Sequence, residues 1–158
     1  MKILITAGGT KIRLDDVRYL DWDFAGCVPV LNNFSTGAFG AKLADAFTGL
    51  WDEERCDGDG EQVFDHQVHL LRATDAIPAR REGAAYSNFS CSTFFTYEEY
   101  SRKLEELCRK EKFDIVIVAA AVSDYGLPFT EGKISSDQDE ITIKLRRLPK
   151  VITKIKEW

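Results

Sequence analysis

Long apolar runs and an excess of basic residues are both missing from the sequence. No stretch approaches the roughly 20 apolar residues that span a bilayer, and the opening KILITAGGT is too short and too strand-like for a signal peptide. The net charge is −5 at pH 7 and the pI is about 5.1, which argues against broad electrostatic binding to nucleic acid or to an anionic membrane. We therefore expect a cytoplasmic protein with no nucleic-acid partner and no membrane partner.

Cysteine and histidine are sparse and poorly spaced for metal binding. The two histidines, His66 and His69, lie three residues apart, so on a predicted strand their side chains would point to opposite faces. The four cysteines include no CxxC pair: Cys27, Cys56, Cys91 and Cys108. This spacing predicts free thiols in a reducing compartment and no metal site built from them. The dinucleotide fingerprint G-x-G-x-x-G is also absent after the first strand, which disfavours a nicotinamide- or flavin-dependent reductase.

The residues that are present have the composition of a globular domain. The chain has 158 residues, of which 44% are apolar and 30% are charged, enough for one sizeable core. Apolar patterning predicts strands in five segments: 2–6, 62–74, 92–96, 113–122 and 140–145. Helical periodicity and start signals predict three helices: 37–51, 96–111 and 149–158. This alternation predicts an α/β fold, a Rossmann-like three-layer domain with a mostly parallel central sheet.

Local signals refine these elements. The first helix has its predicted N-cap at Ser35 or Thr36. Its predicted apolar stripe has five members: Phe39, Leu43, Ala46, Phe47 and Leu50. The second helix begins with the capping-box pair Thr96 and Glu99. Its predicted buried face is the following set: Tyr97, Tyr100, Leu104, Leu107 and Cys108.

The remaining expectations concern strands and connections. The apolar run over 113–122 is typical of a strand in the middle of a parallel sheet, and the strand in 62–74 is expected to end at Leu70 or Leu71. Residues 11–34 show little period and predict a long irregular connection, a feature that is usually functional or mobile.

Three segments fall where a ligand would bind. In an open parallel sheet, ligands lie beyond the carboxyl ends of the strands, where the strand order reverses. AGGT follows the first strand, NNFSTG opens the first helix and AAAVSDY follows the central strand. Gly8 and Gly9 either let the backbone approach a phosphate or simply form a tight turn. Ser35, Thr36 and Gly37 either offer the positive end of a helix to phosphate or only cap it.

Three polar side chains near these segments could take part in chemistry. The Asn33 amide can donate to a carbonyl while accepting from an amine, although alone it would be taken as a turn residue. Lys133, in the segment EGKISS, could close over a polyphosphate or simply be solvated. Asp124 could hold a ribose hydroxyl or a magnesium-bound water, although acidic residues after strands are common.

The order of these motifs resembles the phosphopantothenoylcysteine synthetase family, particularly its single-function bacterial members and the eukaryotic enzymes. The resemblance touches nearly the whole chain, and its most specific pieces are AAAVSDY, GKISS and NFSTG. Residues 21–30 and 52–62 look like insertions. Members of that family continue beyond the helix that corresponds to ITKIKEW, so we expect 1–158 to be a single synthetase domain that is incomplete at its C-terminal end.

The resemblance implies a two-step ligation that belongs to coenzyme A biosynthesis. The carboxylate of 4′-phosphopantothenate would attack the α-phosphate of a nucleoside triphosphate, CTP or ATP, with Mg²⁺ as cofactor. Pyrophosphate leaves and an acyl-nucleotide remains. The amine of L-cysteine then displaces the nucleotide and forms the amide.

The resemblance also carries roles onto matching positions. Lys133 corresponds to the lysine that assists nucleotidyl transfer, and Asn33 to the asparagine that engages the acyl-nucleotide. The phosphate region would consist of Gly8, Gly9, Thr10, Ser35, Thr36 and Gly37. The nucleoside region would consist of Ala120, Ala121 and Asp124. The family also implies a homodimer, with 15–20 and 141–145 as contributors to the contact.

One departure concerns charge. Many relatives carry a basic residue directly after the glycine that corresponds to Gly37, whereas this chain has Ala38. Two readings therefore stand beside each other: a ligase, and a truncated or split synthetase domain that binds nucleotide or phosphate without turnover. An unrelated nicotinamide- or flavin-dependent reductase is the third and least favoured reading.

Overall fold

The computed structural model of the chain describes residues 1–14, 30–49, 66–82, 87–127, 137 and 139–158. The strands of this part are the following: β1 Lys2–Ala7, β2 Lys11–Arg13, β3 Val30–Asn32, β4 Gln67–Ala73, β5 Phe89–Phe94, β6 Ile115–Val118, β7 Tyr125–Gly126 and β8 Arg146–Arg147. The helices are α1 Ala38–Phe47 and α2 Tyr97–Lys110, with two short 3₁₀ helices at Val151–Thr153 and Ile155–Glu157.

The central sheet has four parallel strands in the order β5-β4-β1-β6. The chain runs outward from β1 through α1 to β4 and then β5, and α2 carries it back past β1 to β6. The strand order therefore reverses between β1 and β6. In sheets of this kind the reversal opens a crevice at the carboxyl ends of the strands, which is the standard place for a ligand.

Helices cover both faces of the sheet. On one face α1 packs on Ile3 and Ile5 of β1, which are fully buried together with Ala44 of the helix. On the other face α2 packs on Leu4 through Tyr100 and its neighbours. Because β1 is buried on both faces, its sequence KILITA is almost continuously apolar, as expected for a central parallel strand. The predicted three-layer α/β fold is confirmed.

The predicted face of α1 is confirmed only in part: Leu43 and Phe47 pack, partly buried, against the core, and Leu50 lies outside the described residues. Phe39 is 68% exposed and Ala46 is exposed, whereas the buried positions of the helix are Gly40, Ala41, Ala44 and Asp45. The helix lies so close to β1 that a Cβ atom at Gly40 would come within 2.5 Å of the Ala7 Cβ. Only small side chains fit that gap, so the larger apolar residues are displaced to the flanks and to solvent.

The N-cap expected for α1 is also wrong. Gly37, not Ser35 or Thr36, is the N-cap residue, with a left-handed φ of 70° and no side-chain cap. The helix ends at Phe47, before the end predicted at residue 51. Gly49, two residues later, has a left-handed φ of 74°.

The start and the buried face of α2 are confirmed. The Glu99 N–H donates to the Thr96 hydroxyl at 3.2 Å, and the Glu99 carboxylate accepts from the Phe95 N–H at 2.8 Å. Tyr97, Tyr100 and Leu104 are the buried residues of the helix, while Leu107 and Cys108 are partly buried against the same core.

Several strand predictions need correction. β4 continues to Ala73, beyond the end predicted at Leu70 or Leu71, and β5 spans Phe89–Phe94, so it begins and ends earlier than the strand predicted over 92–96. The run over 113–122 provides β6, which lies at the edge of the described sheet and is only partly buried. Residues 11–34 contribute an antiparallel pair, β2 and β3, at their two described ends.

The C-terminal elements differ most from the prediction. Residues 140–145 are exposed and belong to no strand, because alternation stabilises a strand only when a partner is present. The adjacent Arg146–Arg147 pair with Tyr125–Gly126 instead. The helix predicted after Pro149 is replaced by the two 3₁₀ turns, which pack Val151 into the core below α2.

None of the helices in the described part of the chain is long and apolar enough to cross a membrane.

Candidate functional site

The candidate site lies where β1 and β6 end side by side. The Ala121 N–H donates to the Gly8 carbonyl at 2.8 Å, and the Thr10 N–H donates to the Ala121 carbonyl at 3.0 Å. These bonds extend the pairing of the two strands into the loops that follow them. AGGT and AAAVSDY, far apart in sequence, thus form one edge of the crevice.

Close approach of neighbouring segments requires glycine at three positions. A Cβ atom at Gly9 would lie 1.6 Å from the Asn33 carbonyl oxygen. Gly8 and Gly37 both have positive φ, 88° and 70°, and their added Cβ atoms would come within 2.8 Å of Ala76. The start of α1 therefore packs directly against the turn after β1, and packing alone is sufficient to explain these glycines.

Asn33 is held at this edge by both its backbone and its side chain. Its N–H donates to the Thr10 carbonyl at 3.2 Å, and its side-chain Nδ2 donates to the Ser123 hydroxyl at 3.4 Å. Ser123 in turn lies 3.0 Å from the Thr10 hydroxyl, oxygen to oxygen, and donates its own N–H to that oxygen at 2.9 Å. The result is a connected polar cluster, defined here as Thr10, Asn33 and Ser123.

The predicted candidates did not include Ser123. It is nearly buried, with 8% of its surface exposed. The available signal was its position in AAAVSDY, directly after the strand that precedes the crevice, where a hydroxyl has reason to face a neighbouring loop.

The hydroxyls at the start of α1 face their own backbone. The Ser35 hydroxyl accepts from the Gly37 N–H and the Thr36 hydroxyl from the Ala38 N–H, each at 3.4 Å. The Thr36 carbonyl accepts from the Ile77 N–H at 2.8 Å, which ties this turn to the loop after β4. No acidic residue lies in the first helical turn, so the helix start retains its partial positive charge.

A cavity of about 170 Å³ opens beside β6. Val118, Ala120 and Val122 form apolar wall, and Ser123, Asp124 and Lys150 supply polar groups. The Asp124 carboxylate and the Lys150 ammonium are 3.8 Å apart, with their side chains 63% and 53% exposed. Such an exposed pair contributes little to stability, so both groups can exchange partners with a ligand.

Another lysine at this edge, Lys11, already forms an ion pair. Lys11 is buried, its Nζ lies 2.7 Å from an Asp75 carboxylate oxygen, and it lies 4.8 Å from the centre of the Phe95 ring. Because this cation has an anionic partner, it is poorly suited to bind phosphate. No other described part of the chain holds three His, Cys, Asp or Glu side chains grouped so as to bind a metal ion, and neither does this edge.

The structure brings together most of the residues chosen from the sequence. Gly8, Gly9, Thr10, Asn33, Gly37 and Ala121 are linked by the contacts given above. Ala120 joins them through its N–H, which donates to the Thr6 hydroxyl at 3.2 Å, and Asp124 borders the adjacent cavity. Lys133 and residues 15–20 lie outside the described residues, as do Cys27 and Cys56. The described cysteines, Cys91 and Cys108, are free thiols.

Comparison with known proteins gives a consistent assignment. A family model described as the DNA/pantothenate metabolism flavoprotein C-terminal domain matches residues 68–157. The "Coenzyme A biosynthesis bifunctional protein CoaBC" of Thermococcus kodakarensis is 27% identical over 159 residues, and that of Methanocaldococcus jannaschii is 30% identical over 155 residues. The two alignments cover 99% and 98% of this chain but only 31% and 30% of the relatives. The chain therefore spans less than a third of their length.

Solved structures share the fold. The DNA/pantothenate metabolism flavoprotein from Streptococcus pneumoniae has a TM-score of 0.70 at 22% identity, covering 100% of this chain and 65% of that one. A Cab2 mutant in complex with phosphopantothenate-cysteine has a TM-score of 0.68 at 19% identity, covering 99% of this chain and 59% of that one. The resemblance drawn from the motifs is thereby confirmed. The family model matches more than half of this chain, so the chain belongs to the DNA/pantothenate metabolism flavoprotein C-terminal domain family.

Proposed function

We propose that the chain provides the phosphopantothenate–cysteine ligase activity of coenzyme A biosynthesis. The carboxylate of 4′-phosphopantothenate is activated by a nucleoside triphosphate with release of pyrophosphate, and the resulting acyl-nucleotide forms an amide with L-cysteine. The names of the curated relatives support the pathway. The observation that carries the proposal is the fixed position of Asn33 at the reversal point between β1 and β6.

The first step needs positive groups around phosphate oxygens. The glycine turn and the start of α1 offer backbone N–H groups and the positive end of a helix. Neither the turn nor the first helical turn carries an acidic side chain that would repel phosphate. Lys133 supplies the cation that stabilises charge as it develops on the transferred phosphate. Because Ala38 replaces a basic residue of many relatives, this lysine carries more of that task here.

The nucleoside is assigned to the crevice beside β6. Ala120 and Ala121 provide apolar surface and backbone, and Asp124 provides a carboxylate at the border of the cavity. A single carboxylate fits Mg²⁺, which usually binds one or two carboxylates together with substrate phosphates. When bound, that ion neutralises phosphate charge. CTP and ATP both remain candidates.

The second step uses Asn33. One amide hydrogen is engaged by Ser123, and no other side chain in the described part of the chain bonds to this amide, so one hydrogen and the carbonyl oxygen can bind a ligand. The hydrogen can donate to the acyl oxygen as negative charge develops there, and the oxygen can accept from the attacking amine of cysteine.

We also propose that the active form is a cytoplasmic homodimer. Exposed apolar side chains alternate along the segment before β8: Ile141, Ile143 and Leu145, at 50%, 40% and 45% exposure. An extended segment with this pattern is suited to pair with a second copy, and residues 15–20 are the other expected contributor. Sedimentation velocity measures the state directly.

A second candidate is a nucleotide- or phosphate-binding module without independent turnover. The observation that favours it is β6, whose Ile115–Val118 sequence is wholly apolar although the strand lies at the edge of the described sheet and is only partly buried. Such a strand is typical of a sheet interior, so a further polypeptide segment would complete the crevice.

One experiment separates these readings. The 158-residue chain is incubated with 4′-phosphopantothenate, Mg²⁺ and either CTP or ATP, with and without cysteine, while pyrophosphate release and the mass of the product are followed. A ligase releases pyrophosphate only with phosphopantothenate and forms the amide only with cysteine. Nucleotide binding by calorimetry without pyrophosphate release favours the binding module. Binding of NAD(P)H but of neither CTP nor ATP would contradict both.

A further inference from the structure

The side chain of Ser123, from the loop after β6, contacts two groups that both come from the N-terminal part of the chain, the Thr10 hydroxyl and the Asn33 amide. Its hydroxyl accepts from Asn33 Nδ2 at 3.4 Å, across 90 sequence positions, and lies 3.0 Å from the Thr10 hydroxyl, across 113 positions. Thr10 is fully buried and Ser123 nearly so. Within the described residues, Ser123 is the only side chain that forms a hydrogen bond with the Asn33 amide.

Accounting for the hydrogens gives this cluster a direction. The Thr10 hydroxyl already accepts from the Ser123 N–H at 2.9 Å and can donate to the Ala121 carbonyl at 3.5 Å. The Ser123 hydroxyl can then donate to Thr10, so that its lone pairs face the amide of Asn33. A hydroxyl in this arrangement accepts from Nδ2 and does not donate to Oδ1. The cluster thereby distinguishes the two ends of an otherwise nearly symmetric amide.

We propose that Ser123 is a positioning residue that fixes the orientation of the Asn33 amide for the amide-forming step. The inference rests on the proposed function, in which Asn33 contacts the acyl oxygen and the amine. An amide rotated by 180° about its last bond would present a hydrogen where the amine needs an acceptor. Ser123 prevents this rotation by occupying one hydrogen of Nδ2.

The hydroxyl of Ser123 is not needed to hold the loops together. Thr10 is fixed through its backbone, which donates to Ala121 and accepts from Asn33, and the Ser123 N–H bond to Thr10 does not depend on the serine side chain. Removing the hydroxyl therefore leaves the backbone of the edge in place and changes the side chain of Asn33. This separates a positioning role from a purely structural one.

The test compares Ser123→Ala and Ser123→Thr with a matched control, Ser92→Ala. Ser92 lies on β5 and its hydroxyl is bonded to His69 at 2.8 Å, so the control also removes one serine hydroxyl, but away from the crevice. We expect Ser123→Ala to slow amide formation about tenfold relative to pyrophosphate release, the effect of about one hydrogen bond. Ser123→Thr restores the ratio, and Ser92→Ala leaves it unchanged.

A second readout does not need turnover. In the ¹⁵N-labelled chain, the side-chain amide signals of Asn33 are identified by their loss in Asn33→Asp. We expect their hydrogen exchange to accelerate in Ser123→Ala and to stay slow in Ser123→Thr. Unchanged exchange in Ser123→Ala overturns the proposal, and so does an equal slowing of both chemical steps. If the parent chain forms no product, the proposed function fails, and faster exchange would then support only the hydrogen bond and not its catalytic use.

Discussion

Replacing Gly9 by alanine should displace Asn33 without removing any functional group. The added Cβ would lie 1.6 Å from the Asn33 carbonyl oxygen, so the oxygen must retreat by about 1.8 Å to reach an ordinary 3.4 Å contact. Gly9 has no positive φ, so alanine adds no backbone strain of its own. Overpacking of this kind costs about 1–3 kcal/mol, which corresponds to a fall in Tm of about 3–10 °C in a chain of this size.

The matched control is Gly49→Ala. Gly49 has φ 74° with nothing within 4 Å of an added Cβ, so the control strains the backbone by about 1–2 kcal/mol and leaves the crevice untouched. We expect both variants to have a lower Tm in thermal unfolding. Only Gly9→Ala should also slow amide formation, by about a hundredfold, because a misplacement near 1 Å can cost that much. Native amide formation by Gly9→Ala, or an equal loss in the control, would refute the reasoning.

Three further substitutions address single groups. Lys133→Gln should slow pyrophosphate release about a hundredfold, and a native rate in a pyrophosphate assay would contradict its role. Asn33→Asp should let acyl-nucleotide accumulate while amide formation slows about a hundredfold, which rapid quench and mass spectrometry detect; failure to trap any intermediate would count against the assignment. Hydrogen bonds from Arg72 lower the pKa of Glu82, so this pair stabilises the fold above the ordinary Glu pKa and less as pH falls through the lowered value. Urea unfolding of Glu82→Gln should therefore show a loss of about 1–2 kcal/mol at pH 7 that shrinks in acid, and a constant difference would contradict the pairing.

Elements governed by local rules were predicted best from the sequence. Thr96 and Glu99 satisfy the free N–H groups around the start of α2, so that helix begins where the sequence indicates. The first strand was also predicted from a local signal, because a continuous apolar run needs burial on both faces.

Elements decided by distant neighbours could not be predicted. The buried face of α1 depends on how closely Gly40 approaches Ala7, a distance that no helical periodicity contains. The alternation over 140–145 is typical of a strand, but whether a strand forms depends on a partner elsewhere in the fold. The apolar run of β6 predicts burial between two strands, whereas the described sheet supplies only β1.

The candidate site likewise has a part that the sequence predicts and a part that depends on distant neighbours. That AGGT, NNFSTG and AAAVSDY meet was predictable, because parallel strands place their carboxyl ends at one edge. Ser123 was not, since a serine carries no periodic signal and its two partners are 90 and 113 positions away. The sequence also could not show that Gly9 makes room for the backbone carbonyl of Asn33, or that the buried cation of Lys11 is paired with Asp75.

The position of Asn33 has two independent causes, and their difference matters for the chemistry. The absence of a side chain at Gly9 determines where the backbone of Asn33 lies, whereas the hydroxyl of Ser123 determines how its amide is turned. The first is steric and costs nothing to maintain once the chain is folded. The second is a single hydrogen bond and can be broken by thermal motion or by a ligand. The role proposed for Asn33, in which its amide accepts from an amine and donates to an acyl oxygen in one step, needs both, because correct placement without correct orientation presents the wrong atom to the substrate.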